Sequence, residues 1–477
     1  MQTLLQGAEA TKADEMLGRA RNCALMGRGR PRLDAVVRTV AAKRSAAATW
    51  GAAAAPERHR RVAAPQTSPR RSFSTDDGGG GLFAKTDVHQ MIRETARAFA
   101  EEQVDPQALE HDKLEQFNME LFRQVGELGF LGVTVPEEYG GTGLDATAAV
   151  IIHEELSAAD PGFCLSYLAH SMLFCNNLAV NGSAEQCAQY LPDACSGEKI
   201  GGMCMSEPGA GTDVLGLSTS ATLDGDEYVL KGSKMWITNG CISDDEQGDV
   251  FLVYARTGEG ASDLSLFIVE KGMEGFSMGQ RIKDKCGMRA SATAELVFDS
   301  VRVPRANLVG VEHGAVKCMM RNLEIERLTL AAMSTGLARR SIEVMNRYAS
   351  ERQAFGQSIN SFGQIQAHLA TSYAEWQAAR AYVYATANEL ELEATGSNRL
   401  DSDGVKLVAS VMGTTVANRA MQCLGGYGYV GEYQVERLWR DAKLIEIGGG
   451  TLEAHQKNIT RELAKELRDE GAGWQLV

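Results

Sequence analysis

The hydrophobic positions of this chain change period twice. Over 86–103, Val88, Ile92, Thr95, Ala96 and Phe99 recur at helical spacing, and the segment is expected to stop before Asp105-Pro106. Helices are also expected over 119–128, 146–158 and 165–178, with a loop at 136–143 between the first two of these. From about residue 200 short β-branched and aromatic runs take over. Residues 221–223 and 228–230 flank the turn pair Asp224-Gly225, and further strands are expected at 250–255, 264–269 and 295–303. Five or more short strands in such a span predict a compact barrel or sandwich. Beyond 310 the helical period returns, over 311–390 and 403–424, with 314–349 the longest candidate.

That pattern predicts an α+β chain of several domains. An α-helical unit spans 83–200, a β-barrel-like unit 201–310 and a helical bundle 311–477. Within the long helix, Met319, Leu323, Leu330 and Met333 define a core-facing stripe, and Glu326 lies on it. Burial opposes ionisation of a carboxylate and raises its pKa, which suits proton abstraction near neutral pH. The helix alone equally allows a glutamate satisfied by Arg327 or a backbone donor.

Composition narrows the class. The 477 residues are 44% hydrophobic and 23% charged, as in ordinary globular proteins, and no uncharged apolar run is long enough to predict a membrane span. The net charge of −14 is unevenly spread: residues 1–75 hold 14 Lys/Arg against 5 Asp/Glu, and the remainder holds 34 against 57. An acidic body is repelled by phosphate backbones, so nucleic acid is not the expected partner. The basic, alanine-rich first 75 residues read as a mitochondrial transit peptide, with Arg70-Arg71-Ser72-Phe73-Ser74-Thr75 as a cleavage-like segment and 76–82 as a linker; a retained basic arm is the alternative. The ten cysteines form no CxxC pair and read as buried, reduced thiols.

Five segments invite a chemical reading. Met203 to Asp213 is a glycine-bearing loop dense in hydroxyls and amides, and Lys234-Met235-Trp236-Ile237-Thr238-Asn239-Gly240 puts Trp236 and Thr238 on one strand face by alternation. Taken singly they are a turn and a core tryptophan; taken together they offer an aromatic wall and hydrogen bonds to a flat, polar ring. Glu351-Arg352-Gln353-Ala354-Phe355-Gly356 offers a cation and an aromatic for a phosphate and a base, or is simply a turn between helices. Gly426 to Gly431 matches G-x-G-x-x-G, but it follows a helical pattern with no βαβ alternation, so a Rossmann site is rejected. The last segment is the glycine turn Gly448-Gly449-Gly450-Thr451, whose small residues let a ligand approach the backbone.

Together these segments resemble the acyl-CoA dehydrogenase family over roughly 83–470, on five ordered motifs: Met205-Ser206-Glu207-Pro208, Lys234 to Gly240, Glu351 to Gly356, Gln422-Cys423-Leu424-Gly425-Gly426-Tyr427-Gly428, and Arg440-Asp441-Ala442-Lys443. The resemblance implies an α-helical domain, a middle β domain and a C-terminal four-helix bundle. It also implies non-covalent FAD, a homotetramer and α,β-dehydrogenation of an acyl-CoA. In most relatives the base is a glutamate in the C-terminal turn, a position held here by Gly449. The isovaleryl-CoA and long-chain branches carry it on the long helix instead. Leu323-Glu324-Ile325-Glu326-Arg327-Leu328 is similar to their motif and puts Glu326 in the base's place.

The isovaleryl branch matches better, and a short branched acyl chain is expected; Leu168, bulkier than the glycine expected there, bears on chain length. The resemblance assigns the cofactor to Met205, Ser206, Gly211, Thr212, Trp236, Ile237, Thr238, Arg352, Phe355, Gln422, Gly425, Gly426, Thr451 and Glu453. It assigns the substrate to Thr212, Glu324, Arg327, Gly449 and Gly450, with the Gly449 N–H and a flavin hydroxyl holding the thioester oxygen. Glu324 is expected to be solvated or bonded to ligand. Electron-transfer flavoprotein is the implied electron acceptor and the mitochondrial matrix the implied location. The competing expectations are a dehydrogenase of longer straight chains, an acyl-CoA oxidase, and an assembly subunit associated with a respiratory complex.

Overall fold

The computed structural model describes residues 81–393 and 398–469, so the basic segment 1–75 and most of the linker lie outside the described residues. Helix α1 (Asp87–Phe99) is capped by the Thr86 hydroxyl, which accepts from the His89 N–H. The chain does not stop before Pro106 as its sequence suggests. A π-helical stretch, Ala100–Val104, carries it into α2 (Asp105–Leu114), where Pro106 falls in the first turn and its missing N–H costs nothing. Helix α3 (Met119–Glu127) follows, then α4 (Ala146–Ala159), buried along its whole length. Helix α5 (Pro161–Leu168) passes through a second π stretch, Ala169–Asn176, into α6 (Asn177–Asn181), and α7 (Ala184–Ser196) closes the region with a capping box at Ser183. The run Pro161–Asn181 is long and apolar enough to cross a membrane, yet 78% of its most apolar window is buried inside the protein.

The middle region is an eight-stranded sheet: β1 (Gly201–Cys204), β2 (Ser220–Asp224), β3 (Glu227–Thr238), β4 (Val250–Arg256), β5 (Leu264–Glu270), β6 (Phe276–Arg281), β7 (Thr293–Pro304) and β8 (Leu308–Val309). The spatial order is β6-β7-β3-β2-β4-β5-β8, with β1 added in parallel beside β4. In β4 and β5 alternation sorts the side chains to two cores. Leu252, Tyr254, Leu266 and Ile268 pack with the helices on one side, whereas Phe251, Val253, Phe267 and Val269 join Tyr228, Leu296 and Phe298 on the other.

The last region opens with α8 (Ala315–Glu351), followed by the hairpin β9 (Gln353–Ala354) and β10 (Gln357–Ser358), then α9 (Gly363–Glu389), α10 (Arg399–Leu424), α11 (Val435–Ile447) and α12 (Leu452–Asp469). From Arg321 to Ala338 every residue of α8 is buried, so the helix is central rather than one-sided as its apolar stripe suggests. It crosses α4 closely. A Cβ on Gly336 would lie 2.1 Å from the Glu154 carbonyl oxygen, and the Ser157 hydroxyl donates to the Met333 carbonyl at 2.9 Å.

Two adjacent buried carboxylates tie the helical regions together. Glu154 accepts from Arg93, Arg380 and Tyr384, and Glu155 from Arg93, Arg97 and Arg339, at 2.6–3.2 Å. Burial alone would raise the pKa of Glu155; Arg339 and Arg97 outweigh it and hold the carboxyl at about 2. The nine described cysteines are all free, and eight of them are buried, with Cys286 at the surface.

Candidate active site

Glu326 is 8% exposed, and its Oε2 has no hydrogen-bond partner. Its pKa is raised, chiefly by burial, against the opposing pull of Arg327 and Lys406. Arg327 does not satisfy it, which removes the alternative reading left open by the helix alone: the guanidinium turns instead to Asp403 on α10 at 3.1 Å. Lys406, one turn along α10, donates to the Ile445 carbonyl on α11 and is itself pulled down to about 8 by burial.

The C-terminal glycine turn meets this carboxylate. Gly449 has φ +67°, and a Cβ built on it would lie 3.5 Å from Glu326 Oε1 and 2.3 Å from Leu330 Cδ1. The turn position and the helix position thus address one point in space, although 123 residues separate them. Gly450 follows at φ +102°, with the His455 ring 3.0 Å from where its Cβ would stand. Only glycine combines this backbone with this approach. Thr451 caps α12 by accepting from the Ala454 N–H at 3.3 Å, and Glu453 is exposed in the first turn.

A second constellation forms around the Met205 loop. The Met235 N–H donates to the Ser206 carbonyl at 2.9 Å, binding the loop to β3. Glu207 anchors it from below: it accepts from Lys234 Nζ at 2.8 Å, from the Ser218 and Thr219 N–H groups and from the Ser218 hydroxyl, and Lys234 also donates to the Met205 carbonyl. Lys234 is fully buried, and these contacts hold Glu207 at about 2 although burial opposes it. Above this anchor Gly209 and Gly211 face open space, and Gly211 and Thr212 are exposed.

Strand alternation is broken at Trp236. It takes φ +65° at a register shift between Lys234 and Ile237, and the ring is 63% exposed rather than in the core. Ile237 faces inward and offers only its main chain to a ligand, whereas Thr238 is half-buried.

A third group lies on the bundle. Arg352 sits over the Tyr427 ring at 5.9 Å, at the edge of a cleft of about 400 Å³ that Arg340, Arg347 and Tyr433 also line. Phe355, at φ +51° on the tip of the hairpin, is 96% exposed; Gln422, Gly425 and Gly426 are exposed, and a Cβ on either glycine would meet nothing. The G-x-G-x-x-G match at Gly426 begins in the 3₁₀ turn that follows α10, so rejection of a Rossmann site holds. Glu324 is not solvated, as one of its two expected settings would have it. It is 4% exposed and accepts from the Asn398 N–H at 3.4 Å, because α8 is enclosed on that side as well.

Asp403, Lys406 and His455 carry no signal in the sequence, and the ion pair between Glu207 and Lys234 and the contact of Leu330 with the turn join segments whose motifs stand apart along the chain.

Three family models match in order: the N-terminal domain of acyl-CoA dehydrogenase over residues 86–198, its middle domain over 202–301 and its C-terminal domain over 314–464. The mitochondrial isovaleryl-CoA dehydrogenase of Solanum tuberosum is 42% identical over 385 residues, 80% of this chain and 91% of that protein. Among solved structures, an acyl-CoA dehydrogenase of Bacillus anthracis complexed with FAD matches with a TM-score of 0.75 and 33% identity, covering 81% of this chain and 68% of that one. A chain in the structure reported for the electron transferring flavoprotein of Acidaminococcus fermentans matches with a TM-score of 0.76 and 37% identity, covering 79% of this chain and 98% of that one.

Proposed function

The chain belongs to the acyl-CoA dehydrogenase family, and from that premise we propose that it oxidises a short, branched acyl-CoA of the isovaleryl type to the 2-enoyl-CoA, with Glu326 as the base. One observation carries the reading: the unpartnered, buried carboxylate of Glu326 lies at the position that a carboxylate in the C-terminal turn would otherwise reach.

The α-proton of a thioester is far too weakly acidic for an unaided carboxylate. The Gly449 N–H therefore donates to the thioester oxygen as enolate charge grows, and the turn and the base address adjacent atoms of one substrate. Burial keeps water from Glu326 and raises its proton affinity, so abstraction and oxyanion stabilisation draw on the same dry pocket.

The donor set fits non-covalent FAD. Met205, Ser206, Trp236 and Thr238 would hold the flat ring, the open backbone at Gly211 and Thr212 would approach it, and Arg352, Phe355, Gln422, Gly425 and Gly426 would hold the diphosphate and base across a subunit interface. Thr451 and Glu453 complete that side. The cofactor, when bound, supplies the acceptor for the β-hydrogen as hydride. Arg327, held by Asp403 through Nη1, is assigned to the substrate side of α8.

Phe355, Tyr429, Tyr373, Val408 and Val411 are each exposed on the bundle, and a homotetramer would cover apolar side chains of this kind. Electron-transfer flavoprotein is the electron acceptor of this reading, and the mitochondrial matrix its location, supported by the mitochondrial relatives and the basic leader.

Anaerobic mixing of the purified flavoprotein with straight and branched acyl-CoAs tests the assignment. Isovaleryl-CoA is expected to bleach the flavin fastest. Bleaching led by long straight chains would overturn the substrate, and no bleaching by any acyl-CoA would overturn the activity.

A further inference from the structure

The substrate-side turn contains two consecutive glycines at positive φ, Gly449 and Gly450, a backbone that is soft on its own. The fold stiffens it from one direction. His455, fully buried on the first turns of α12, donates from Nε2 to the Gly450 carbonyl at 3.0 Å, and its Nδ1 meets Asp403 Oδ1 at 2.5 Å. Asp403 is buried too. Its other oxygen accepts from Arg327 Nη1 at 3.1 Å, and Asn458 donates to Oδ1 at 3.3 Å. A continuous chain of contacts therefore runs from α8, beside the base, through Arg327, Asp403 and His455 into the glycine turn. The space that a Gly450 side chain would need is filled by the His455 ring.

We propose that His455, oriented by Asp403, is a positioning residue that locks the Gly450 carbonyl and thereby sets the direction of the Gly449 N–H toward the thioester oxygen. The inference rests on the dehydrogenase reading above and assigns it a part that neither Glu326 nor the flavin-side residues perform. His455 is fully buried and is assigned no contact of its own with substrate or cofactor. Its effect crosses the intervening Gly449–Gly450 peptide to reach the Gly449 N–H, where a displacement of about 1 Å is enough to cost about a hundredfold in rate. The geometry also predicts which substitutes serve. Glutamine reaches the Gly450 carbonyl with its amide, whereas leucine fills the space and donates nothing.

The test uses the full-length holoenzyme and two readouts. In His455→Leu, the rate of flavin bleaching at saturating acyl-CoA is expected to fall about ten- to a hundredfold with KM nearly unchanged, and in His455→Gln most of that loss is restored. Independently, the infrared carbonyl stretch of a bound ¹³C-thioester product is expected to move toward its value in water in His455→Leu and to return in His455→Gln. Amide exchange across 448–454 supplies a further check on either variant, and on His455→Asn should His455→Leu fail to fold: exchange should quicken wherever the Gly450 contact is lost. Wild-type protein that bleaches normally while His455→Leu shows unchanged rate and carbonyl frequency overturns this inference alone. Wild-type protein whose flavin is not bleached by any acyl-CoA overturns the dehydrogenase reading and this inference with it. A rate loss without any carbonyl shift overturns it in favour of a merely structural role.

Discussion

Replacing Gly449 with alanine probes the meeting of turn and base in a single atom. The added Cβ would stand 2.3 Å from Leu330 Cδ1, about 1 Å inside ordinary contact, and the backbone there holds φ +67°. Leu330 is 3% exposed on the fully buried stretch of α8, so it yields only by leaving its rotamer or displacing its neighbours. Overpacking of this kind costs about 1–3 kcal/mol, and a non-glycine residue at positive φ about another 1–3 kcal/mol. The steric part belongs to the pair. Leu330→Ala alone should cost about 2–5 kcal/mol through its cavity, but combined with Gly449→Ala it should recover at least about 1 kcal/mol of the expected total. Urea unfolding of the wild type, both single variants and the double variant measures this. Strict additivity, or a Gly449→Ala protein as stable as wild type, would refute the account of why the turn carries no side chain.

Other expectations follow from the same contacts. The raised pKa of Glu326 means that flavin reduction should increase with pH along a limb lying above the ordinary carboxylate range; Lys406→Met removes a charge that favours the carboxylate, so stopped-flow pH profiles should show that limb displaced to still higher pH. Lys234→Met leaves Glu207 buried without its cation, at a cost of about 3–5 kcal/mol, and the purified protein should show a lower ratio of flavin to protein absorbance than wild type. Arg352→Ala alters an exposed side chain; its melting curve without flavin should match wild type while flavin affinity falls about tenfold or more, as measured by fluorescence titration.

Legibility in the sequence tracked how local the physics was. The strands of 250–256 and 264–270 are apolar runs bounded by turn residues, and the long helix is a stretch free of proline, so both stood out. Glu326 was visible because one charge interrupted an apolar stripe. The π stretches were not, since nothing in Ala100–Val104 marks an i→i+5 bond and the following proline reads as a stop. Glu154 and Glu155 look like a solvated pair until the four arginines, spread from residue 93 to residue 380, are brought onto them. Alternation put Trp236 and Thr238 on one face but gave no sign of the bulge that pushes the tryptophan outward. Burial of Glu324 and the Asp403–His455 contact are likewise properties of the assembled bundle, not of any window of sequence.

The base assignment is tested most directly by Glu326→Gln, which keeps the side chain's shape and removes its capacity to take a proton. With flavin content and ligand affinity intact, a single anaerobic turnover with the best acyl-CoA should slow by about 10²–10⁴-fold or more. Flavin reduction at close to the wild-type rate would mean that a different group removes the α-proton.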